Sequence, residues 1–286
     1  MGSVRIITDS AAELTPTEAA ELGVSIVPLR YSVGNTILKQ DVDISSERLL
    51  ELLAQGNAVI KPLPPATDDI TRLLESVARV GQVALYLHVA DGLLPVSAPI
   101  QSVTQGLFGH ARIEVIDSRA VSYSLQRIVW AVAQAAAEGS SLPTVTQLAR
   151  AMISRVYMLF YAQDFDHLEK TADIQPAQAL LASILGVKPL VVLEEGRLLP
   201  LEKVTPRSTP VDKLTDFVFE FASIAEIAIL LGPREADFDV EELRQRLLQQ
   251  YPHLTIPILN YGPLVAASVG PAAVGVYVYE GLQAGW

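Results

Sequence analysis

The chain has 286 residues, half of them hydrophobic, with no cysteine and a formal charge of −11. The length suits one large domain or two ordinary ones, and the apolar fraction supplies a sizeable core. An acidic surface repels phosphate backbones and argues against nucleic-acid binding; the lack of cysteine removes disulfides, thiolate zinc sites and cysteine nucleophiles together and is compatible with a cytoplasmic location.

The opening stretch "MGSVRIITDSAAEL" carries one Arg and reaches Asp9 before an apolar h-region forms, so no secretory leader is expected. "VRIITDS" reads as a strand ending at Asp9-Ser10. "TPTEAAELG" reads as a helix with Thr15 as N-cap, Pro16 at N1, Glu18 at N3 and Gly23 as its stop. "VSIVPLRYSV" is read as a second strand, "SSERLLELLAQG" as a helix capped by Ser45 or Ser46, and "DDITRLLESVARVG" as another helix. "QVALYLHVA" and "ARIEVIDS" are the third and fourth strands, and the long helix "SLQRIVWAVAQAAAEG" follows. Strands alternating with helices of this length imply βαβ units and a parallel sheet. Two of the strands end in Asp-Ser, at Asp9-Ser10 and Asp117-Ser118, and a third ends at Asp91-Gly92. Ligands in such sheets gather at the carboxyl ends of strands. The loop after the third strand nevertheless runs through Leu93, Leu94, Pro95 and Val96, apolar where polar groups are usual.

The second half changes character. "TVTQLARAMISRVYMLFYA" runs a helix into a strand, "PAQALLASILG" is a short apolar helix, and "VKPLVVLEEGRLLPLEKV" is a hairpin turning at Glu195-Gly196. "TPVDKLTDFVFEFAS" and "DVEELRQRLLQQYP" are helices; "EIAILLG", "LTIPILNYG" and "AAVGVYVYEG" are strands. This predicts a second, mixed-sheet α/β domain, with residues 1–157 in the first and 158–286 in the second. No window approaches about 18 uninterrupted apolar residues, so no membrane span is expected.

The chemistry inventory is thin. His88, His110, His167 and His253 are scattered without metal-ligand spacing and are read as structural or surface residues. There is no GxGxxG, no P-loop and no nucleophile elbow. The acidic run "DFDVEELR" reads as a helix N-terminus whose carboxylates suit the macrodipole. Asp9 or Ser10 can satisfy loop amides after the first strand, and "SVGPAAVG" reads as a tight Gly-Pro turn that lets something approach the backbone closely.

Set in order, "TDS" (Thr8 to Ser10), "VPLRYSV", "DVDIS", "VIDS" (Val115 to Ser118), "VKPLV", "EEGRL" with "LEKV", and "VGPAAVG" (Val269 to Gly275) resemble the DegV family of bacterial fatty-acid-binding proteins over nearly the whole chain. The resemblance implies a Rossmann-like parallel-sheet domain plus a second mixed α/β domain. It also implies a long acyl chain buried in an apolar tunnel, and a carrier without catalytic residues of its own. In the family the bound fatty acid is presented to a separate fatty acid kinase. No cofactor or metal is implied.

This chain departs from the family pattern where the carboxylate is held. The family's Thr-Ser-Gln-Pro-Ser is matched by Pro62 to Ala66, so Pro62 stands in place of a Thr. In the loop after the third strand, Leu94 replaces a Ser and Val96 a Thr; Asp173 replaces an Arg, and Ser268 a His. A carboxylate buried without donors is unstable or shifts its pKa upward. The remodelled lipid-binding site is therefore expected at Ser10, Pro62, Leu94, Val96, Ser97 and Ser268, with Lys61, Lys188 and Arg207 as possible sources of charge. Its ligand would be a long-chain fatty acid held unconventionally or a more neutral lipid. The alternative is a non-binding paralogue that keeps the fold as an interaction or regulatory module, its tunnel filled by Leu93, Leu94 and their neighbours. A third reading is an enzyme at the Asp9, Asp91 and Asp117 strand ends, which needs a base or a Mg²⁺ site.

Overall fold

The computed structural model of the chain describes residues 4–57, 59–107, 111–163, 165–168, 188–204 and 209–282. They fall into two compact units: residues up to 48 with 59–154, and residues 49–57 with those from 155 on.

In the first unit, β1 (Arg5–Asp9) ends in a single 3-10 turn, Ser10–Ala12. α1 (Pro16–Leu22) opens on a capping box: the Glu18 amide donates to Thr15 Oγ1 at 3.2 Å, and the Thr15 amide donates to Glu18 Oε2 at 2.8 Å. Gly23, at φ +65°, closes the helix. Next come β2 (Val24–Val27), β3 (Arg30–Val33), β4 (Thr36–Lys39), α2 (Ser46–Gln55), of which residues 49–55 count with the second unit, and β5 (Ile60–Leu63). Of the two candidate caps of α2, Ser45 acts, its Oγ accepting from the Arg48 amide at 3.1 Å. α3 (Thr67–Arg79), β6 (Val83–His88), α4 (Ser97–Gly106), β7 (Arg112–Asp117), α5 (Tyr123–Ala137) and α6 (Leu142–Ile153) complete the unit. The parallel sheet expected from the alternating pattern is there, in the order β2-β1-β6-β7.

"VSIVPLRYSV" is two strands in two sheets rather than one strand. Pro28, which has no N–H to give a ladder, falls between β2 and β3. β3 is the centre of a small antiparallel sheet ordered β4-β3-β5. The stretch that begins at Pro62 likewise starts on a strand. Its proline sits on the outer strand β5, opposite Tyr31 on β3, the position in a sheet that tolerates a missing donor. α4 begins directly after the apolar loop, where no helix was expected.

The second unit carries β8 (Val156–Tyr161), β9 (Lys188–Glu194), β10 (Arg197–Val204), α7 (Pro210–Phe219), β11 (Glu226–Leu231), α8 (Val240–Gln250), β12 (Ile258–Asn260), α9 (Pro263–Val269) and β13 (Val274–Tyr279). They build a mixed sheet ordered β10-β9-β8-β13-β11-β12, with β11 and β12 parallel and the other pairs antiparallel. The predicted hairpin turns where predicted: Glu195 and Gly196 both take positive φ, +48° and +76°, as a two-residue turn matched to strand twist requires. "DFDVEELR" is indeed a helix start, the Glu242 amide donating to Asp239 at 2.8 Å. The core here is aliphatic, Leu159, Val218, Ile229, Leu247 and Val276 among its members. Gly275 lies on β13 because a Cβ there would press into the Phe160 ring at 2.6 Å. The helix expected from "PAQALLASILG" lies outside the described residues.

Candidate functional site

The connection out of β1 passes through α1 to β2 on one side of the sheet, whereas β6 pairs with β1 on the other. Neighbouring strands whose connections leave in opposite directions create a topological switch point, the place where open α/β sheets bind ligands outside their carboxyl ends. The groups presented at that edge are Asp9 and Ser10 from β1, the segment Val89 to Ser97 after β6, and Asp117 and Ser118 after β7.

Asp9 is fully buried. Its two oxygens take one backbone amide each, Ala11 at 3.1 Å and, across the switch point, Val89 at 2.7 Å. Burial pushes its carboxyl up to about 6, against the lowering effect of the Val89 bond, the nearby His88 and the Ala11 bond. Ser10 is buried beside it and engaged twice: its Oγ donates to Gln40 Oε1 at 2.8 Å and accepts the Leu29 amide at 2.9 Å. Gln40 Nε2 donates in turn to Ser46 Oγ at 2.8 Å, and Ser46 Oγ to Asp41 at 2.8 Å. This chain of bonds ties the small sheet to the end of β1. The loop-amide reading of Asp9 and Ser10 thus describes both residues.

The loop after β6 is held by its acidic residue. One oxygen of Asp91 accepts the amides of Val96 and Ser97, at 2.7 and 2.8 Å, and so caps α4. Asp117 Oδ1 accepts the amides of Asp91 and Arg119. Leu94 and Val96 turn inward, 4% and 0% exposed. The Ser97 hydroxyl lies 3.4 Å from His88 Nε2, and His88 Nδ1 lies 2.8 Å from the Val89 carbonyl. Asp9, Asp91 and Asp117 therefore organise loops. Among the described residues no group of three or more His, Asp or Glu is placed to hold a metal ion.

Two tyrosines belong to the same region and were not singled out in the sequence. Tyr31 on β3 and Tyr86 on β6 are fully buried, and neither hydroxyl meets a hydrogen-bond partner among the described residues. Burial holds both phenols well above their usual ionisation range, reinforced at Tyr31 by the charges of Glu13, Asp9 and Asp41 and at Tyr86 by that of Asp9. Only their place within "VPLRYSV" and "ALYLHV" was visible in advance. A polar-tipped ring inside an otherwise apolar strand is the signal that could have marked them.

Of the predicted site residues, Ser10, Leu94, Val96 and Ser97 share the switch-point edge. Pro62 lies on β5, laterally paired with Tyr31. Ser268 belongs to the second unit, where its hydroxyl donates back to the Leu264 carbonyl at 2.8 Å within α9. Lys61 is exposed on β5, and Lys188 donates to the Gln163 carbonyl. Asp173, Arg207 and His110 lie outside the described residues. The "SVGPAAVG" segment is a helix end and a turn: Gly270 takes φ +98°, and the Tyr261 hydroxyl donates to the Gly270 carbonyl at 2.7 Å and accepts the Ala273 amide at 3.0 Å. The second unit also holds a groove of about 900 Å³ that Tyr161, Val211, Leu231 and Phe238 line together with Arg234, Asp237 and Glu242. Its volume suits a small ligand, but its charged rim makes it a mixed surface rather than an apolar tunnel.

The profile of a family described as "Uncharacterised protein, DegV family" matches residues 3–281. A DegV domain-containing protein of Halalkalibacterium halodurans is 28% identical over 284 residues, covering 98% of this chain and 99% of the relative. A fatty acid binding DegV family protein from Streptococcus agalactiae has a similar structure, with a TM-score of 0.84 at 19% identity over 98% of this chain and 100% of that one. A DegV family protein from Thermus thermophilus, whose structure is described for its fatty acid binding, gives 0.80 at 21% identity over 98% and 100%.

Proposed function

This chain belongs to the DegV family, and from that membership we propose that it binds a long-chain fatty acid or a more neutral lipid and carries it, any chemistry on the lipid belonging to a partner fatty acid kinase. The observation that supports this reading is the family match over residues 3–281, in a fold whose similar structures include proteins described as fatty acid binding. The carrier would act in the cytoplasm, for which a cysteine-free chain is suited, and no helix among the described residues is long and apolar enough to cross a membrane. The division proposed near residue 157 would separate the switch-point domain from the mixed-sheet domain.

The headgroup site differs from the one the family resemblance implies. Pro62, Leu94 and Val96 supply no side-chain donor, while the hydroxyls of Ser10 and Ser268 already serve internal bonds. A carboxylate buried against Pro62, Leu94 and Val96 would lack the compensation it needs, so the headgroup is uncharged or held by other groups. A second reading, the non-binding paralogue, draws on the inward packing of Leu94 and Val96. A thermal-shift panel separates the two. Delipidated protein is mixed with palmitic acid, oleic acid, 1-hexadecanol and methyl palmitate. A ligand at about a hundred times its Kd adds about 2.7 kcal/mol, a rise of several degrees in Tm. A flat response to every lipid would favour the paralogue.

A further inference from the structure

A hydroxyl buried without a partner is destabilising, and the unpartnered hydroxyls of Tyr31 and Tyr86 belong to one neighbourhood. Tyr86 is in register with Ile7 on β1. Asp9 follows Ile7 by two residues and His88 follows Tyr86 by two, so pleating puts Tyr86, His88 and Asp9 on one face of the sheet. The Tyr86 and His88 rings meet edge-on with centroids 6.4 Å apart. Tyr31 arrives from the small sheet: Leu29, two residues before it, gives its amide to Ser10 Oγ, which seats β3 against the turn that follows Asp9. The charge of Asp9 bears on both phenols. Thr8 Oγ1 is also buried and unpartnered, but alternation turns it to the opposite face from Asp9.

The positions of these two rings answer the donors this chain lacks. Tyr31 pairs laterally with Pro62, and Tyr86 lies on the strand that runs into the Leu94–Val96 loop. We propose that the Tyr31 and Tyr86 hydroxyls hold the oxygen headgroup of the bound lipid, in place of hydroxyls absent at Pro62, Leu94 and Val96. The proposal rests on the lipid-binding reading above and narrows it. Phenols kept protonated by burial are donors across the ordinary pH range. A ligand carboxylate would face the negative end of Asp9, whereas a protonated acid or an alcohol would not. The ligand class is therefore a long-chain lipid with an uncharged oxygen head.

The test uses the delipidated full-length chain, its Tyr31→Phe and Tyr86→Phe variants, and the double variant. Affinities for palmitic acid and 1-hexadecanol are measured by displacement of a fluorescent lipid, with hexadecane as the probe that has no headgroup. Each single variant should bind both oxygen-headed probes roughly tenfold more weakly, and the double variant roughly a hundredfold, the scale of one and two lost hydrogen bonds. Hexadecane displacement and the lipid-free Tm should stay the same, or the Tm should rise. If the wild type binds and the variants match it within about threefold, or lose hexadecane equally, this assignment is overturned while the lipid-binding reading stands. If the wild type binds none of the probes, the lipid-binding reading fails and takes the assignment with it.

Discussion

Replacing Asp9 by asparagine should remove a pH dependence that the fold builds into its first unit. Burial raises this carboxyl from its ordinary 3.8 to about 6. Between those two values the folded chain keeps a proton that the unfolded chain has released. Stability from this group is therefore fully present below pH 3.8 and is lost as the pH rises through about 6. At about 1.4 kcal/mol per pH unit, the loss is on the order of 3 kcal/mol. Asparagine has one acceptor oxygen where the carboxylate has two, so either the Ala11 or the Val89 amide loses its partner. That penalty, about 1–3 kcal/mol, does not vary with pH. Urea unfolding of lipid-free wild type and Asp9→Asn, stepped from about pH 4 to pH 7.5, cancels every other carboxylate in the difference. The wild type's advantage should shrink by about 3 kcal/mol over the range. A difference that stays constant with pH would refute the assignment of a raised carboxyl to Asp9.

Other consequences can be checked separately. Thr15→Ala removes the acceptor of the Glu18 amide and should cost about 1 kcal/mol, with Thr15→Ser restoring it; a chemical-denaturation midpoint that does not move would contradict the capping role. Gly232→Ala would drive a Cβ into the Pro271 carbonyl and the Tyr261 hydroxyl. It should cost about 3 kcal/mol or more, and an unaltered thermal melt would show that this packing yields. If the headgroup is held uncharged as proposed, a lipid-loaded preparation supplied with a fatty acid kinase and ATP should give no acyl phosphate on hydroxylamine trapping; robust turnover would contradict that.

Much of the fold was legible because its signals are local. Thr15-Pro16 with Glu18, the Glu195-Gly196 turn and the Asp239 start of α8 each depend on residues a few positions apart. The small antiparallel sheet was missed for the converse reason. β3, β4 and β5 are four residues each, Pro28 interrupts the run before β3, and although β3 and β4 meet across a short turn, β5 joins them only by pairing some thirty residues along the chain. α4 and α9 were obscured by prolines in their first turns, Pro99 and Pro263, which punctuate a sequence although a helix start accepts them. At the candidate site, that Pro62, Leu94 and Val96 carry no hydroxyl is plain from the chain itself. That the Ser10 and Ser268 hydroxyls serve internal bonds, and that those of Tyr31 and Tyr86 meet no partner among the described residues, follows from tertiary packing that no spacing in the chain encodes.

The central claim, that this fold still holds a lipid after losing its carboxylate grip, is tested most directly by the content of the purified protein. Solvent extracts of the chain taken from cells, analysed by mass spectrometry, should contain a long-chain fatty acid or an uncharged long-chain lipid in near-equal proportion to protein. Extracts free of lipid, from a protein that also fails to respond to added fatty acids and neutral lipids, would contradict the claim.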